Sequence, residues 1–231
     1  MPSRRRSLGL LAAGSVALLS TGALALSGGS ASAYSDGGAA FTGQASAVSI
    51  SASLLGQPLV PVTTVQGTGP VATDVSSTTP TPCALNPIIR NVLVSGDLCA
   101  NVTTLSDAGI SVAHASVANL ALGLVTLPTI AIQGVASSST SGCGGSFGST
   151  TIAYLRIGTT VVIAKPTAIA PNTVVNVGVV KLVLNQQIPD YQSTSGLTVN
   201  AIALTVNALG LAQLNLDVAS SQSGVNGCLP T

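Results

Sequence analysis

Apolar residues in the second half of the chain fall into short runs rich in Val, Ile, Leu and Thr. Clusters of Gly, Pro, Asn, Asp or Ser separate these runs. This pattern is typical of successive β-strands joined by turns. It predicts strands at residues 150–157, 174–184, 197–206 and 214–218.

The first half contains the most regular alternation of apolar and polar residues. Residues 48–54 alternate between apolar residues and serine, which predicts a half-buried strand with one solvated face. Because this strand is flat and uncharged, it is a candidate for edge-to-edge assembly into fibres. The shorter apolar segments 59–65 and 71–75 have Pro61 and Pro70 in or beside them. We therefore expect them at a sheet edge or in extended loops.

Two connections are predicted before the middle of the chain. Residues 76–82 consist only of Ser, Thr and Pro, so we expect an exposed extended loop. Residues 88–94 and 98–105 have strand-like composition. The Ser-Gly-Asp segment at residues 95–97 between them predicts a hairpin turn.

The pattern is ambiguous or irregular at two places. Residues 113–124 are compatible with a short helix, but β-branched residues and Gly123 favour extended structure throughout 110–127. Within 197–206 the apolar alternation slips by one residue near Ala201. Such a slip predicts either a β-bulge or a strand that is covered on both faces.

The succession of strands without intervening helical patterns predicts an all-β fold. We expect an antiparallel β-sandwich or a barrel-like arrangement. A β-solenoid is the structural alternative, but it requires a clearer internal repeat than this sequence contains.

The N-terminus has the three parts of a secretory signal peptide. Three arginines at positions 4–6 precede an apolar run at 8–26, and Ala31-Ser32-Ala33 supplies a cleavage site with small residues. We predict a signal peptide at 1–33, followed by a single all-β secreted domain at 34–231. An uncleaved membrane anchor is the alternative interpretation. The partial twin-arginine pattern ranks below the ordinary Sec route.

The charge of the predicted mature chain excludes two classes of function. Of seven Lys and Arg, three lie in the leader, so four basic residues face six Asp and the net charge is −2. So few basic residues cannot form the clustered surface that nucleic acids require. Electrostatic binding to a membrane surface, and stable insertion after cleavage, are not expected either.

Four cysteines in an exported chain predict two disulfides, for which three pairings exist. We favour Cys83 with Cys99 and Cys143 with Cys228, because each pair brackets a segment of strand-like sequence. Chain-entropy estimates give each bridge about 3 to 4.5 kcal/mol. Zinc is a weaker interpretation, because no Cys-x-x-Cys spacing is present and His114 is the only histidine.

No catalytic constellation is apparent in the sequence. There is no Glu, so the carboxylate pair of a glycosidase would have to come from Asp residues that are far apart in sequence. We expect these residues to lie in turns instead, where Asp is favoured by hydrogen bonds to nearby backbone: Asp97, Asp107, Asp190 and Asp217. A serine triad would depend on His114 without a nucleophile elbow. The glycine cluster at 142–148 lacks the third glycine of a dinucleotide fingerprint, where Phe147 stands. We therefore expect a protein without catalytic activity or cofactor.

Binding to carbohydrate would depend on the few aromatic residues, because sugars stack on exposed aromatic rings. Tyr191, in a polar loop, is the best candidate contact, and Tyr154 is the second. Amide side chains at Gln186, Gln187 and Gln192 would complete such a site. The alternative is that Tyr191 only anchors its own loop.

The second half of the chain resembles the choice-of-anchor P family of secreted or surface proteins of actinobacteria. The resemblance covers residues 140–228 and extends to 34–55. It rests on the cysteine-glycine segment 141–145, the strand 150–157, the turn 170–173, and segments 180–187, 196–204 and 216–221.

This resemblance implies an exported all-β protein and carries over no activity. Because the sequence ends at Thr231 without a sorting motif, an apolar tail or a basic end, we expect no covalent anchor. The expected function is that of a secreted or loosely wall-associated structural or interaction protein of the cell envelope. The partner would be another surface protein, or a cell-wall glycan if the chain is a polysaccharide-binding module. The sequence leaves the oligomeric state open.

Overall fold

The computed structural model describes residues 40–54, 57–85, 88–89, 92–123, 128–208 and 212–228. Within these residues the chain forms fifteen β-strands and no helix. The predicted signal peptide at 1–33 lies outside the described residues, as do Tyr34, Asp36 and residues 229–231.

The strands are numbered in chain order. They are β1 (Ala40–Leu54), β2 (Gln57–Gly67), β3 (Val71–Thr73), β4 (Ser77–Leu85), β5 (Ile88–Ile89), β6 (Val92–Leu105), β7 (Ile110–Leu122), β8 (Ile130–Gly142), β9 (Gly145–Ile157), β10 (Thr160–Ile163), β11 (Thr167–Ala168), β12 (Thr173–Val177), β13 (Val180–Pro189), β14 (Ser195–Ala208) and β15 (Ala212–Asn226).

These strands form two antiparallel sheets that pack face to face. Sheet I has the order β12-β13-β14-β15-β1-β2, and β3 also pairs with β1. Sheet II has the order β10-β9-β8-β7-β6-β4, with β5 beside β6 and β11 beside β9. In the interface β15 lies over β7 and β8, β14 over β8 and β9, and β1 over β6 and β7. The predicted antiparallel sandwich is confirmed, and within the described ranges neither sheet closes into a barrel or winds into a solenoid.

The position of each strand within its sheet confirms some predictions and corrects others. The strand at residues 48–54 is part of β1, which has β15 on one side and β2 on the other, so its suggested edge-to-edge assembly into fibres is wrong. The proline-containing segments behave as expected, because β2 and β3 lie at the edge of sheet I. Residues 110–122 form one continuous strand, which confirms the extended structure; residues 124–127 lie outside the described residues.

Two predicted connections are strand instead. Most of the Ser/Thr/Pro stretch at 76–82 belongs to β4, which pairs with β6. Among the described strands β4 pairs with β6 alone, so its prolines can occupy positions that donate no hydrogen bond to a neighbour. Residues 95–97 are not a hairpin turn but lie within β6. The register with β7 shifts between Ser95 and Leu98, which marks a β-bulge that includes Gly96 at φ 89°.

The phase slip at Ala201 is present and extends through five strands of sheet I. The residue-to-residue pairing of the strands steps over one residue in each of them. We call these five residues the slip row: Asn185 in β13, Ala201 in β14, Ala219 in β15, Ala47 in β1 and Gln66 in β2. Every second member of this slip row has left-handed backbone, at φ 48°, 50° and 53° for β13, β15 and β2. A slip in one strand alone would break its pairing. Because the slips are aligned, the strands stay paired while their alternation changes phase.

The slip row divides sheet I into an aliphatic half and a half rich in small residues. Toward one end, β13, β14 and β15 bury Leu182, Leu204 and Leu216. Burial of each such side chain contributes about 2 kcal/mol. Toward the other end the core is lined by serine, which β15 and the facing β8 supply at positions 221, 223, 137, 139 and 141. We call this second part the serine half.

Both favoured disulfides are present. Cys83 in β4 is bonded to Cys99 in β6, with their Cα atoms 4.4 Å apart. Cys143 in the β8–β9 turn is bonded to Cys228 after β15, with a Cα separation of 5.5 Å. The second bridge links sheet II to sheet I at the end of the serine half.

Candidate functional site

The two sheets are joined by side-chain hydrogen bonds beside the Cys143–Cys228 bridge. The hydroxyl oxygens of Ser146 in β9 and Ser195 in β14 are 2.7 Å apart. Gln187 in β13 donates from Nε2 to the carbonyl oxygen of Gly148 in β9 at 3.0 Å. These two contacts fix the first residues of β9 against the adjacent ends of β13 and β14.

A buried amide supports this junction. Asn185 is 2% exposed; its Nδ2 donates to the carbonyl of Ile169 at 2.7 Å, and its Oδ1 accepts from Gln187 Nε2 at 3.2 Å. Asn172 accepts at Oδ1 from the backbone N–H of Gln187 and donates its own N–H to the carbonyl of Asn185. The connection that leads from sheet II to β12 is thereby tied to β13. These contacts give a structural role to the turn at 170–173 and the segment 180–187.

The loop between β13 and β14 is held by its own hydrogen bonds. The carboxylate of Asp190 accepts from the Gln192 N–H at 2.9 Å and from the Ser193 hydroxyl at 2.7 Å. The Thr194 N–H donates to Oδ1 of Asn226 at 2.9 Å. This is the turn chemistry predicted for Asp190. The loop is therefore fixed while the Tyr191 side chain at its tip is 91% exposed.

Phe147 is a second exposed aromatic residue at the same junction. It lies between Ser146 and Gly148, whose atoms contact sheet I, and its own side chain is 69% exposed. Because side chains alternate along a strand, Phe147 points away from the interior. We call the exposed rings of Phe147 and Tyr191 the aromatic corner.

Sequence reasoning did not select Phe147 as a contact residue. The available signal was its place in a strand directly after a Gly-rich turn, alternating with Ser146 and Gly148. The glycine cluster around it forms the tight β8–β9 hairpin, in which Gly142 pairs with Gly145. It forms no strand-to-helix phosphate loop.

The structure separates the two tyrosines that the sequence suggests. Tyr154 is half-buried in β9 opposite Gln133 of β8. It lies seven residues beyond Phe147 along the same strand, a distance of about 23 Å at 3.3 Å per residue. Tyr154 is therefore not part of the aromatic corner.

The three glutamines proposed to accompany Tyr191 have different environments. Gln187 is occupied by Gly148 and Asn185. Gln186 accepts a hydrogen bond at Oε1 from Asn200 Nδ2 at 2.9 Å. Gln192, next to Tyr191, is exposed. Of these amides, Gln192 is the one placed to meet a ligand on the tyrosine.

The aspartates differ in their surroundings. Asp107 lies in the β6–β7 turn, as expected, whereas Asp97 lies in the β6 bulge. Asp217 departs from the turn interpretation, because it lies within β15 between the buried Leu216 and Val218. Burial raises the pKa of its carboxyl group to about 6.

His114 lies on β7, where it pairs with Asn101 of β6 and Ser138 of β8. It is partly exposed. Among the described residues, no group of three or more metal-ligating side chains is found. The same part of the chain contains no helix long and apolar enough to cross a membrane.

Comparison of the chain with models of protein families, with curated proteins and with solved structures gave no match.

Proposed function

We propose that this protein is a secreted interaction protein of the cell envelope and that the aromatic corner is its binding surface. The observation that carries the proposal is the exposure of Phe147 and Tyr191 at one rigid junction. Two disulfides indicate an extracytoplasmic protein, because such bridges persist in oxidising compartments. Release from the cell or loose association with the wall is part of the proposal.

The distribution of aromatic residues supports a contact role for the corner. The core is aliphatic, and of the four aromatic residues that the structure describes, Phe41 alone is fully buried. Burying an aromatic side chain removes about 150 to 250 Å² from water and is strongly favourable. Exposing Phe147 and Tyr191 gives up this stabilisation. A partner that covers both rings would recover it.

The rigidity of the junction also favours binding. Hydrogen bonds fix the Tyr191 loop to Asp190 and Asn226, and the Cys143–Cys228 bridge lies beside it. A surface that is already ordered loses less conformational entropy when a partner binds. The corner therefore needs fewer new contacts for a given affinity.

A cell-wall polysaccharide is the second candidate partner. It is favoured by the pairing of an almost fully exposed ring at Tyr191 with the exposed amide of Gln192, since sugars combine apolar faces with hydroxyl groups. The low charge of the chain suits a neutral glycan. Membership of the choice-of-anchor P family, proposed from the resemblance of residues 140–228, agrees with either partner.

Co-sedimentation of the oxidised protein with actinobacterial cell walls tests the proposal. The walls are used intact and after their glycopolymers have been removed. Pelleting with both preparations indicates a partner other than these glycans, and pelleting that disappears on stripping indicates the glycan. An absence of pelleting with either preparation contradicts association with the wall.

A further inference from the structure

A column of hydroxyl groups runs through the interior of the serine half. At its outer end Ser141 of β8 and Ser223 of β15 bring their hydroxyl oxygens to 2.8 Å across the sheet interface. Ser141 also contacts the hydroxyl of Ser146 at 2.9 Å, and Ser146 contacts Ser195. A connected chain of hydroxyls thus leads from half-buried residues at the aromatic corner to a fully buried serine.

The column continues inward through four hydroxyls that have no hydrogen-bond partner among the described residues. Ser139 and Ser221 lie two residues deeper on the same two strands, and Ser137 pairs with Thr150 across β8 and β9. None of these four residues is more than 3% exposed. Within the described residues, the hydroxyl oxygens of all four make no hydrogen bond.

Such a cluster is energetically costly if it stays dry. A buried hydroxyl without a partner loses its hydration and gains nothing in exchange. Native proteins satisfy the large majority of buried polar groups, and groups without a protein partner are commonly bonded to internal water. A hydroxyl group donates one hydrogen bond and accepts two, so four neighbouring hydroxyls offer the two to four partners that one water needs.

Close contacts on both sides enclose the column. On one side Gly43 of β1 faces Val102 of β6, and a Cβ atom on this glycine would meet Val102 Cγ1. On the other side Gly148 of β9 faces Val199 of β14 in the same way. These contacts hold the sheets together around the serines, which fill less volume than the leucines of the aliphatic half.

We propose that Ser137, Ser139, Thr150 and Ser221 form an internal water-binding site between the two sheets. The hydrogen-bonded hydroxyls of Ser195, Ser146 and Ser141 lead from this site toward the end of the sandwich that carries the Cys143–Cys228 bridge. The site explains why this half of the core contains serine where a sandwich ordinarily buries aliphatic residues. It does not depend on the proposed function of the aromatic corner.

Oxygen-17 and deuterium magnetic relaxation dispersion tests this inference. The method detects water molecules that stay bound longer than the protein takes to rotate. We expect such water in the oxidised wild-type protein. We expect its signal to be lost in the Ser139→Ala/Ser221→Ala double variant and kept in the control Ser149→Ala, whose serine is exposed on the same hairpin. Absence of long-lived water in the wild type, or a signal unchanged in the double variant, would overturn the proposal.

The melting temperature of the single variant Ser139→Ala gives a second readout. If water satisfies the hydroxyl, its removal deprives the water of a partner and lowers the melting temperature. If the hydroxyl is dry, the substitution relieves an unsatisfied buried group and raises the melting temperature. A rise therefore contradicts the water site, and this milder variant remains informative if the double variant does not fold.

Discussion

Gln187 joins the two sheets by donating a hydrogen bond from Nε2 to the carbonyl oxygen of Gly148 at 3.0 Å. The same nitrogen donates to Oδ1 of the buried Asn185. One side chain thus holds the β9 edge, the slip row and the base of the aromatic corner in a single arrangement.

Replacing Gln187 should therefore destabilise the protein. Gln187→Ala removes both side-chain bonds and leaves the buried Oδ1 of Asn185 without this donor, so we expect a loss of about 1 to 3 kcal/mol. Urea unfolding measures the change. The control is Gln192→Ala at the exposed neighbouring amide, which should have little effect. Equal stability of the two variants would show that the junction is not held by Gln187.

The close approach of the sheets at Gly148 should not tolerate a methyl group. A Cβ atom there would overlap Val199 Cγ2 and lie 3.0 Å from Leu197 Cδ2. We expect Gly148→Ala to cost about 1 to 3 kcal/mol through overpacking. Gly144→Ala in the same hairpin is the matched control, because nothing lies within 4 Å of its Cβ position. If the Gly148→Ala/Val199→Ala double variant regains part of the lost stability, the clash with Val199 is the cause. If it regains none, the loss has another cause.

Asp217 should make stability depend on pH in a defined window. Its pKa is about 6 in the folded protein against 3.8 as the ordinary value, so the folded state binds more protons between these values. The free energy of unfolding is accordingly highest below pH 4 and falls as the pH rises to 6, by at most about 3 kcal/mol. Asp217→Asn should remove this fall, and Asp107→Asn at an exposed turn should leave it in place. Urea unfolding at pH 4 and pH 7 measures it; an unchanged pH dependence in Asp217→Asn is the contrary result.

The two disulfides should differ in their contribution to stability. The sequence separation is 85 residues for Cys143–Cys228 and 16 residues for Cys83–Cys99. In the chain-entropy model, replacing both cysteines by alanine should cost about 4.5 kcal/mol for Cys143–Cys228 and about 3 kcal/mol for Cys83–Cys99. Thermal unfolding of the two double variants compares them. A larger loss for the Cys83–Cys99 pair would mean that loop closure is not the dominant effect.

Features encoded by local pattern were the ones that could be predicted from the sequence. The alternation in residues 197–206 revealed the slip at Ala201, and the strand-like segments between cysteines suggested both disulfide pairings. Proline marked the edge strands β2 and β3 correctly. Each of these features depends on residues close in sequence, or on cysteines that enclose a strand-like segment.

Features that depend on register between distant strands could not be predicted. The slip row aligns Ala201 with Ala219 and Ala47, and no single segment contains this alignment. The alternation at 48–54 predicts a strand but not its neighbours, and its interior position is decided by pairing with the distant β15. Phe147 was missed because only the packing of Ser146 and Gly148 against sheet I makes it an exposed corner residue.

The affinity of the aromatic corner for the cell wall tests the central claim most directly. We would measure binding isotherms of the oxidised wild type, the Phe147→Ala/Tyr191→Ala double variant and Val174→Ala, a control at an exposed apolar residue of β12. Loss of two central aromatic contacts should weaken binding about thirtyfold or more, since such residues commonly contribute 2 kcal/mol or more. The control should bind like the wild type. Wild-type affinity in the double variant would contradict the assignment of this corner as the binding surface.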